Sequence, residues 1–367
     1  MSPKGRPEGE SAPKRVSAEG SSLSPKGRPE GESAPKRVSA EDSSLSPKGR
    51  PEGESAPKHV GAAGDPAGPR RARDAGTVVA ARRRHFAVRL DDGTTVAALL
   101  KGRRLVPACG DRVALLRAHG GASIESIEPR RNLVYRSDAF KEKLIAANVT
   151  LLVGVVAPDL PVDFELVDRW SVAAEAEGCA FLLVANKADL PGFEAFSARL
   201  APWRSLGYEV LALAAKRDAA PLTARLEGEH AVLVGQSGMG KSTIVNAIAR
   251  HAAARTGAIS AALAAGRHTT TETTLHALPG DPRGGWIVDS PGMKAFGLAH
   301  LVPDAIPPAF REVREHLGHC RFRDCRHDRE PGCAVQAAAA RGAVAPHRVA
   351  LMRTMVAESQ SLRASGR

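Results

Sequence analysis

Apolar and polar positions change rhythm along the chain, and the changes divide it into four stretches. From Gly76 to about Arg131 short apolar runs (GTVVAA, HFAVRL, TTVAALL, DRVALL and ASIESIE) alternate with RRR, DDG, KGRR, CGD and HGG. Five short strands with turn signals between them predict a small all-β barrel over residues 75–132, most simply of OB type. Asp92-Gly93 suits the tight turn of a hairpin. Residues 138–305 read as an α/β domain. AANVTLLVGVVA, CAFLLVAN, YEVLALA, HAVLVG and GWIV are near-continuous apolar strands, and FELVDRWSVAAEAEG, EAFSARLAPWRSLG and KSTIVNAIARHA are helices. Apolar strands separated by helices predict a mostly parallel sheet covered on both faces. Residues 306–367 predict a small α-rich domain, with helices at AFREVREHLG and around Val344–Leu362, and too short for an independent core without a staple.

The first stretch differs from all of these. SPKGRPEGESAPKRVSAE or a close variant starts at Ser2, Ser24 and Ser46, and these repeats have too little apolar surface to bury. Residues 1–74 are expected to form a disordered tail and linker.

Charge changes the picture in one place. The net charge is +12, yet residues 1–60 contribute only +2, whereas residues 75–132 carry 11 Lys/Arg against 5 Asp/Glu. A basic surface on a small β domain suggests a phosphate-rich partner, most often nucleic acid, with solubility as the plainer alternative. No apolar run is long enough to span a membrane, and no apolar N-terminal segment resembles a signal peptide, so a cytoplasmic protein with no membrane partner is expected.

Gly235-Gln236-Ser237-Gly238-Met239-Gly240-Lys241-Ser242 follows a buried strand and opens a helix that continues with Thr243. This is the context in which such a loop wraps phosphates with its backbone N–H groups, aided by the helix N-terminus. Lys241 is expected to bridge β- and γ-phosphates, and Ser242 to ligate Mg²⁺. Asn186-Lys187-Ala188-Asp189 closes the strand CAFLLVAN. A carboxylate there accepts from guanine N1–H and the exocyclic amine, a pattern adenine does not offer. Asn186 would fix the loop, the Lys187 stem would cover the base, and the chain reads as a GTPase rather than an ATPase.

Asp289-Ser-Pro-Gly292 follows the strand GWIV, with Asp289 suited to the Mg²⁺ shell and the Gly292 amide to sensing a γ-phosphate. Between this motif and the phosphate loop lies Gly266-Arg-His-Thr-Thr-Thr271, in the place of a switch segment, with Thr270 the candidate to close on Mg²⁺. Many GTPases carry a water-orienting glutamine after the DxxG glycine; here the residue is Met293. Hydrolysis then needs another group, and His268 is the nearest polar candidate, its alternative role being packing or partner contact.

Five cysteines make an odd set for disulfides. Cys320, Cys325, His327 and Cys333 instead supply three thiolates and an imidazole, a closed tetrahedral set for one structural Zn²⁺. Reduced buried cysteines beside an incidental histidine are the alternative.

Taken together, NKAD before GQSGMGKS, then GRHTTT, DSPG and the Cys/Cys/His/Cys cluster resemble the circularly permuted GTPases of the RsgA (YjeQ) family, over about residues 75–350. The resemblance implies an OB domain, a permuted GTPase domain and a zinc domain. It also implies action on the 30S ribosomal subunit and its 16S rRNA during late maturation, with hydrolysis stimulated by the subunit, and a monomeric GTP/GDP-binding protein. A role for His268 in hydrolysis follows from the same resemblance. The family reads Ser-Ala in the loop behind the guanine; Ala214-Ala215 stands here, leaving the Ala215 amide as the expected base contact. The competing reading is an RNA-binding module switched by nucleotide, with incidental turnover.

Overall fold

The computed structural model describes residues 73–82, 84–100, 105–118, 121–138, 141–256, 273–278, 284–289 and 301–364. The repeat tail lies outside the described residues.

Strands β1 (Arg73–Arg82), β2 (His85–Leu90), β3 (Thr95–Leu100), β4 (Arg112–Ala118) and β5 (Gly121–Ile127) form the barrel. Strand β1 pairs with β2 on one side and β4 on the other, and the order β1-β2-β3-β5-β4 returns to β1. That is the five-stranded OB arrangement. Every second residue of β2 points inward, so Phe86, Val88 and Leu90 meet Val78, Val113, Leu115 and Ile124 in one core. At the foot of the barrel buried Asp111 accepts from Ala108 N–H at 2.7 Å and pairs with Arg130 at 2.7 Å.

A hairpin, β6 (Leu133–Asp138) with β7 (Lys141–Ala147), follows as a separate two-stranded sheet. Its presence corrects the reading of AANVTLLVGVVA as one strand. Asn148 sits at φ 59°, a conformation asparagine tolerates, and breaks the run between β7 and β8 (Leu151–Val156). The Asn148 amide also donates to Gly110 O at 3.0 Å and accepts from Arg131 N–H at 2.9 Å.

The α/β part contains α1 (Phe164–Ala176), β9 (Ala180–Asn186), α2 (Phe193–Ala198), α3 (Ala201–Ser205), β10 (Glu209–Leu213) and α4 (Ala220–Arg225). After these come β11 (His230–Val234), α5 (Lys241–Thr256), β12 (Thr273–Ala277) and β13 (Trp286–Asp289). The single helix expected over EAFSARLAPWRSLG is instead two short ones, with a new helix starting beside Pro202. Strands run β10-β9-β8-β11-β13 in parallel, and β12 adds antiparallel to β13. The apolar runs are continuous because both faces are covered. Leu151, Val153 and Val155 of β8 enter a core with Leu222 of α4 and Ile244 of α5, while Leu152 and Val156 enter another with Trp170 of α1. Gly154 leaves room for Trp170, whose ring carbon lies 3.0 Å from where a Cβ would stand.

Strand β12 has a second neighbour. Ala80 and Ala81 of β1 pair with Thr274 and Thr273, so the barrel and the α/β sheet share one run of hydrogen-bonded strands.

The C-terminal segment has 3-10 turns at Pro303–Ala305 and Pro307–Ala309, then α6 (Arg311–Arg314), α7 (Ala334–Ala340) and α8 (Pro346–Ala364). AFREVREHLG thus gives a helix of four residues only. Phe310, Val313, Val335, Val349, Met352 and Met355 lie in the same core as Trp170 and Phe181, so this segment is built onto the face that α1 covers. Arg348 is buried there, ion-paired to Asp168 at 2.8 Å and Glu312 at 2.6 Å, with its guanidinium 4.7 Å above the Phe310 ring.

Candidate nucleotide site and Cys/His cluster

The carboxyl ends of β8, β9, β10, β11 and β13 open on one edge of the sheet, where open α/β folds bind ligands. The loop from Gly235 to Ser242 leaves β11 and enters α5. Its conformation needs glycine: Gly238 and Gly240 have φ 84° and 96°. A Cβ on Gly235 would stand 2.6 Å from Val155 O, and one on Gly240 would collide with the Asn186 amide. The backbone therefore curls tightly enough to present its N–H groups to a phosphate. Lys241 is buried, and its ammonium donates to Gly235 O at 2.7 Å and Gln236 O at 3.0 Å, across the mouth of its own loop.

Asn186 joins three segments from the end of β9. It is 2% exposed, donates to Met239 O at 3.0 Å and accepts from Ala215 N–H at 3.3 Å. The Ala215 amide, expected at a base oxygen, is thus engaged by Asn186. Lys187 follows at φ 59° and donates to Gly238 O at 2.8 Å and Asp159 Oδ2 at 2.6 Å. Ala188 N–H donates to Leu213 O at 3.0 Å, and the Asp189 carboxylate lies 3.5 Å from Arg217 Nε. Within the phosphate loop, Gln236 Oε1 accepts from Asp163 N–H, and Asp163 in turn caps α1.

Asp289 ends β13, and its backbone lies in register with Leu233 of β11 and Thr274 of β12. His268, Thr270 and Gly292 lie outside the described residues, as does Met293. The structure brings together the phosphate loop, NKAD, Ala215 and the end of β13. It also adds Asp159, which the sequence reading passed over. Its signal was available: Asp159 follows the apolar strand β8 just as NKAD closes β9, and strand ends are where ligand-facing groups gather.

The second constellation is the Cys/His cluster. The ligand atoms of Cys320, Cys325, His327 and Cys333 all lie within 4.8 Å of one another. His327 Nδ1 is 3.5 Å from Cys320 Sγ and 3.5 Å from Cys333 Sγ, and those sulfurs are 3.9 Å apart. A tetrahedron of thiolates around one cation at about 2.3 Å has edges of about 3.8 Å, so the donors fit a single ion. Burial holds His327 towards its neutral form, as a ligand must be, and pushes the Cys325 thiol up to about 12, a shift that a coordinated cation reverses. Gln336 donates to His327 O at 2.7 Å, fixing the residue in its left-handed conformation at φ 59°.

A P-loop at the carboxyl edge of a doubly covered sheet, with the base-reading strand ahead of the phosphate strand, defines a circularly permuted P-loop nucleotide-binding protein. The family model described as RsgA GTPase matches residues 127–299. The small ribosomal subunit biogenesis GTPase RsgA of Nitrosospira multiformis is 45% identical over 284 residues, 77% of this chain and 90% of that protein. The protein of the same name from Neisseria meningitidis serogroup B is 43% identical over 78% of this chain and 92% of its own length. This chain belongs to the RsgA GTPase family. Among solved structures, YjeQ from Thermotoga maritima superposes with a TM-score of 0.59 at 26% identity, covering 79% of this chain and 99% of that one. The circularly permuted GTPase YloQ shares the fold, at a TM-score of 0.57, 22% identity, and coverage of 79% and 96%. No described helix is long and apolar enough to cross a membrane.

Proposed function

We propose that this chain hydrolyses GTP as a late-stage maturation factor of the 30S ribosomal subunit, and that the subunit stimulates hydrolysis. The observation that supports the reading is the clamp at Asn186, which ties the NKAD segment to the phosphate loop. The names of the relatives, small ribosomal subunit biogenesis GTPases, support the choice of partner.

In this reading Lys241 swings from its loop carbonyls to the β- and γ-phosphates, and Ser242, Thr270 and Asp289 form the Mg²⁺ shell. The Gly292 amide reports the γ-phosphate, and His268 serves the attacking water. Asp189 selects guanine. The metal of the Cys/His cluster is one structural Zn²⁺, since four protein ligands leave no open position. The labour divides among a barrel over 75–132 that contacts 16S rRNA, a GTPase domain over 138–305 and a zinc-binding region over 306–367. The protein works as a cytoplasmic monomer.

Single-turnover GTP hydrolysis by wild type and His268→Ala, each with and without purified 30S subunits, tests this. Wild type is expected to accelerate by at least about tenfold with subunits and the variant to lose that gain. Acceleration of wild type well below that favours a nucleotide-switched RNA-binding module. Full acceleration of His268→Ala removes that residue from the chemistry.

A further inference from the structure

One charged residue of the cleft belongs to none of the motifs. Asp159 stands in the loop Ala157-Pro158-Asp159-Leu160-Pro161-Val162, between β8 and α1. This loop meets the nucleotide site at three points. Asp159 Oδ2 accepts from Lys187 Nζ at 2.6 Å. The Leu160 side chain, 40% exposed, covers Gly238 so closely that a Cβ there would collide with its Cδ1, at 2.5 Å. Asp163 N–H at the loop's end donates to Gln236 Oε1 at 3.0 Å.

Lys187 has three donors and holds two acceptors from different segments, Asp159 and the Gly238 carbonyl of the phosphate loop. An amide in place of the carboxylate offers the ammonium only a weaker, uncharged acceptor, and a four-carbon stem with one firm anchor samples more rotamers. A base-covering lysine that must be ordered on binding costs affinity, whereas one already ordered does not. We propose that Asp159 is a positioning residue for the nucleotide site. It holds Lys187 over the cleft and, with Leu160, straps the phosphate loop, so it sets how long a guanine nucleotide stays bound. The inference rests on the reading of the cleft as a guanine-nucleotide site.

The strap includes neither Asp189 nor any residue assigned to the Mg²⁺ shell or the attacking water, so it is expected to act on GDP and GTP alike and to leave the hydrolytic step alone. Half-exposed carboxylates tolerate amidation, so Asp159→Asn folds and keeps the shape of the side chain. Release of N-methylanthraniloyl-GDP and N-methylanthraniloyl-GTP is measured by stopped flow for wild type, Asp159→Asn, Lys187→Ala and the double variant. Asp159→Asn is expected to speed release of both nucleotides about fivefold, raising KM for GTP with kcat unchanged. Added to Lys187→Ala it changes nothing further, because Asp159 acts through that lysine. Unaltered release in Asp159→Asn, or a full additional fivefold in the double variant, overturns the proposal. Amide hydrogen exchange over residues 235–240 without nucleotide decides the strap even if wild type binds no labelled nucleotide, an outcome that would count against the guanine reading alone. Faster exchange in Asp159→Asn supports the strap, and unchanged exchange overturns it.

Discussion

In the nucleotide cleft the residues that hold one another lie far apart along the chain. Asn186 reaches Met239 and Ala215, Lys187 reaches Asp159, and Gln236 reaches Asp163. In the Cys/His cluster all four donors fall between Cys320 and Cys333, in a stretch of turns that ends where Cys333 caps the short helix α7. The cleft is shaped by a sheet whose apolar strands are packed on both faces, so its loops inherit their positions from a large core. The cluster is built on turns, so a cation bound there would supply much of its cohesion. The cleft is therefore expected to keep its shape when it loses a functional side chain, and the cluster is expected to lose it.

Removing the metal breaks the comparison hardest. Chelation is expected to abolish amide protection over residues 320–333, while GDP affinity moves by less than about threefold, because structural ions contribute about 10 kcal/mol locally. Mass spectrometry of the native protein with hydrogen exchange checks both halves. Lys241→Ala is the opposite case. Hydrolysis should fall by about a hundredfold or more with a melting midpoint within about 3 °C of wild type, as turnover assays and calorimetry would show.

Arg348→Met sharpens the contrast between core and cluster. It strands the buried carboxylates Asp168 and Glu312 and is expected to cost about 3–5 kcal/mol at neutral pH, read by denaturant titration. Burial already raises the Asp168 pKa, with Arg348 and His347 pulling it back. A carboxyl raised in the folded state contributes stability that is complete below its unfolded value and lost as pH rises through the folded one. Loss of Arg348 raises it further, so the deficit of the variant is largest near neutrality and shrinks as pH falls towards the ordinary value of 3.8. The smallest effect is Arg169→Ala, which removes a partly exposed pair between α1 and Glu358 of α8. About 1 kcal/mol is expected, less in high salt.

The same contrast explains what the sequence made legible. The cluster could be read because its ligands are neighbours with distinctive chemistry, and the phosphate loop because strand, glycines, lysine and helix are contiguous. The barrel strands followed from short apolar runs set between turn signals, and the sheet from doubly buried runs. Asp159 and the Arg348 network escaped because their meaning lies in partners 28 and 180 residues away, which no local pattern encodes. The hairpin at β6 and β7 escaped for a different reason. Its second strand runs almost directly into β8, and only the left-handed turn at Asn148 separates them. AFREVREHLG has helical periodicity, but prolines lie immediately upstream, and contacts of Arg311 and Arg314 with Glu175 hold the segment in short turns.

Recognition of guanine by Asp189 is the claim on which the rest depends. Its most direct test is competition of GDP, ADP and XDP for the cleft of wild type and Asp189→Asn. Guanine offers two donors to a carboxylate, whereas xanthine places a carbonyl where guanine has its amine and so suits an amide. Wild type is expected to prefer GDP over ADP by at least about a hundredfold, and Asp189→Asn to lose GDP and gain XDP. Equal competition by ADP against wild type, or unchanged GDP affinity in the variant, would contradict the account.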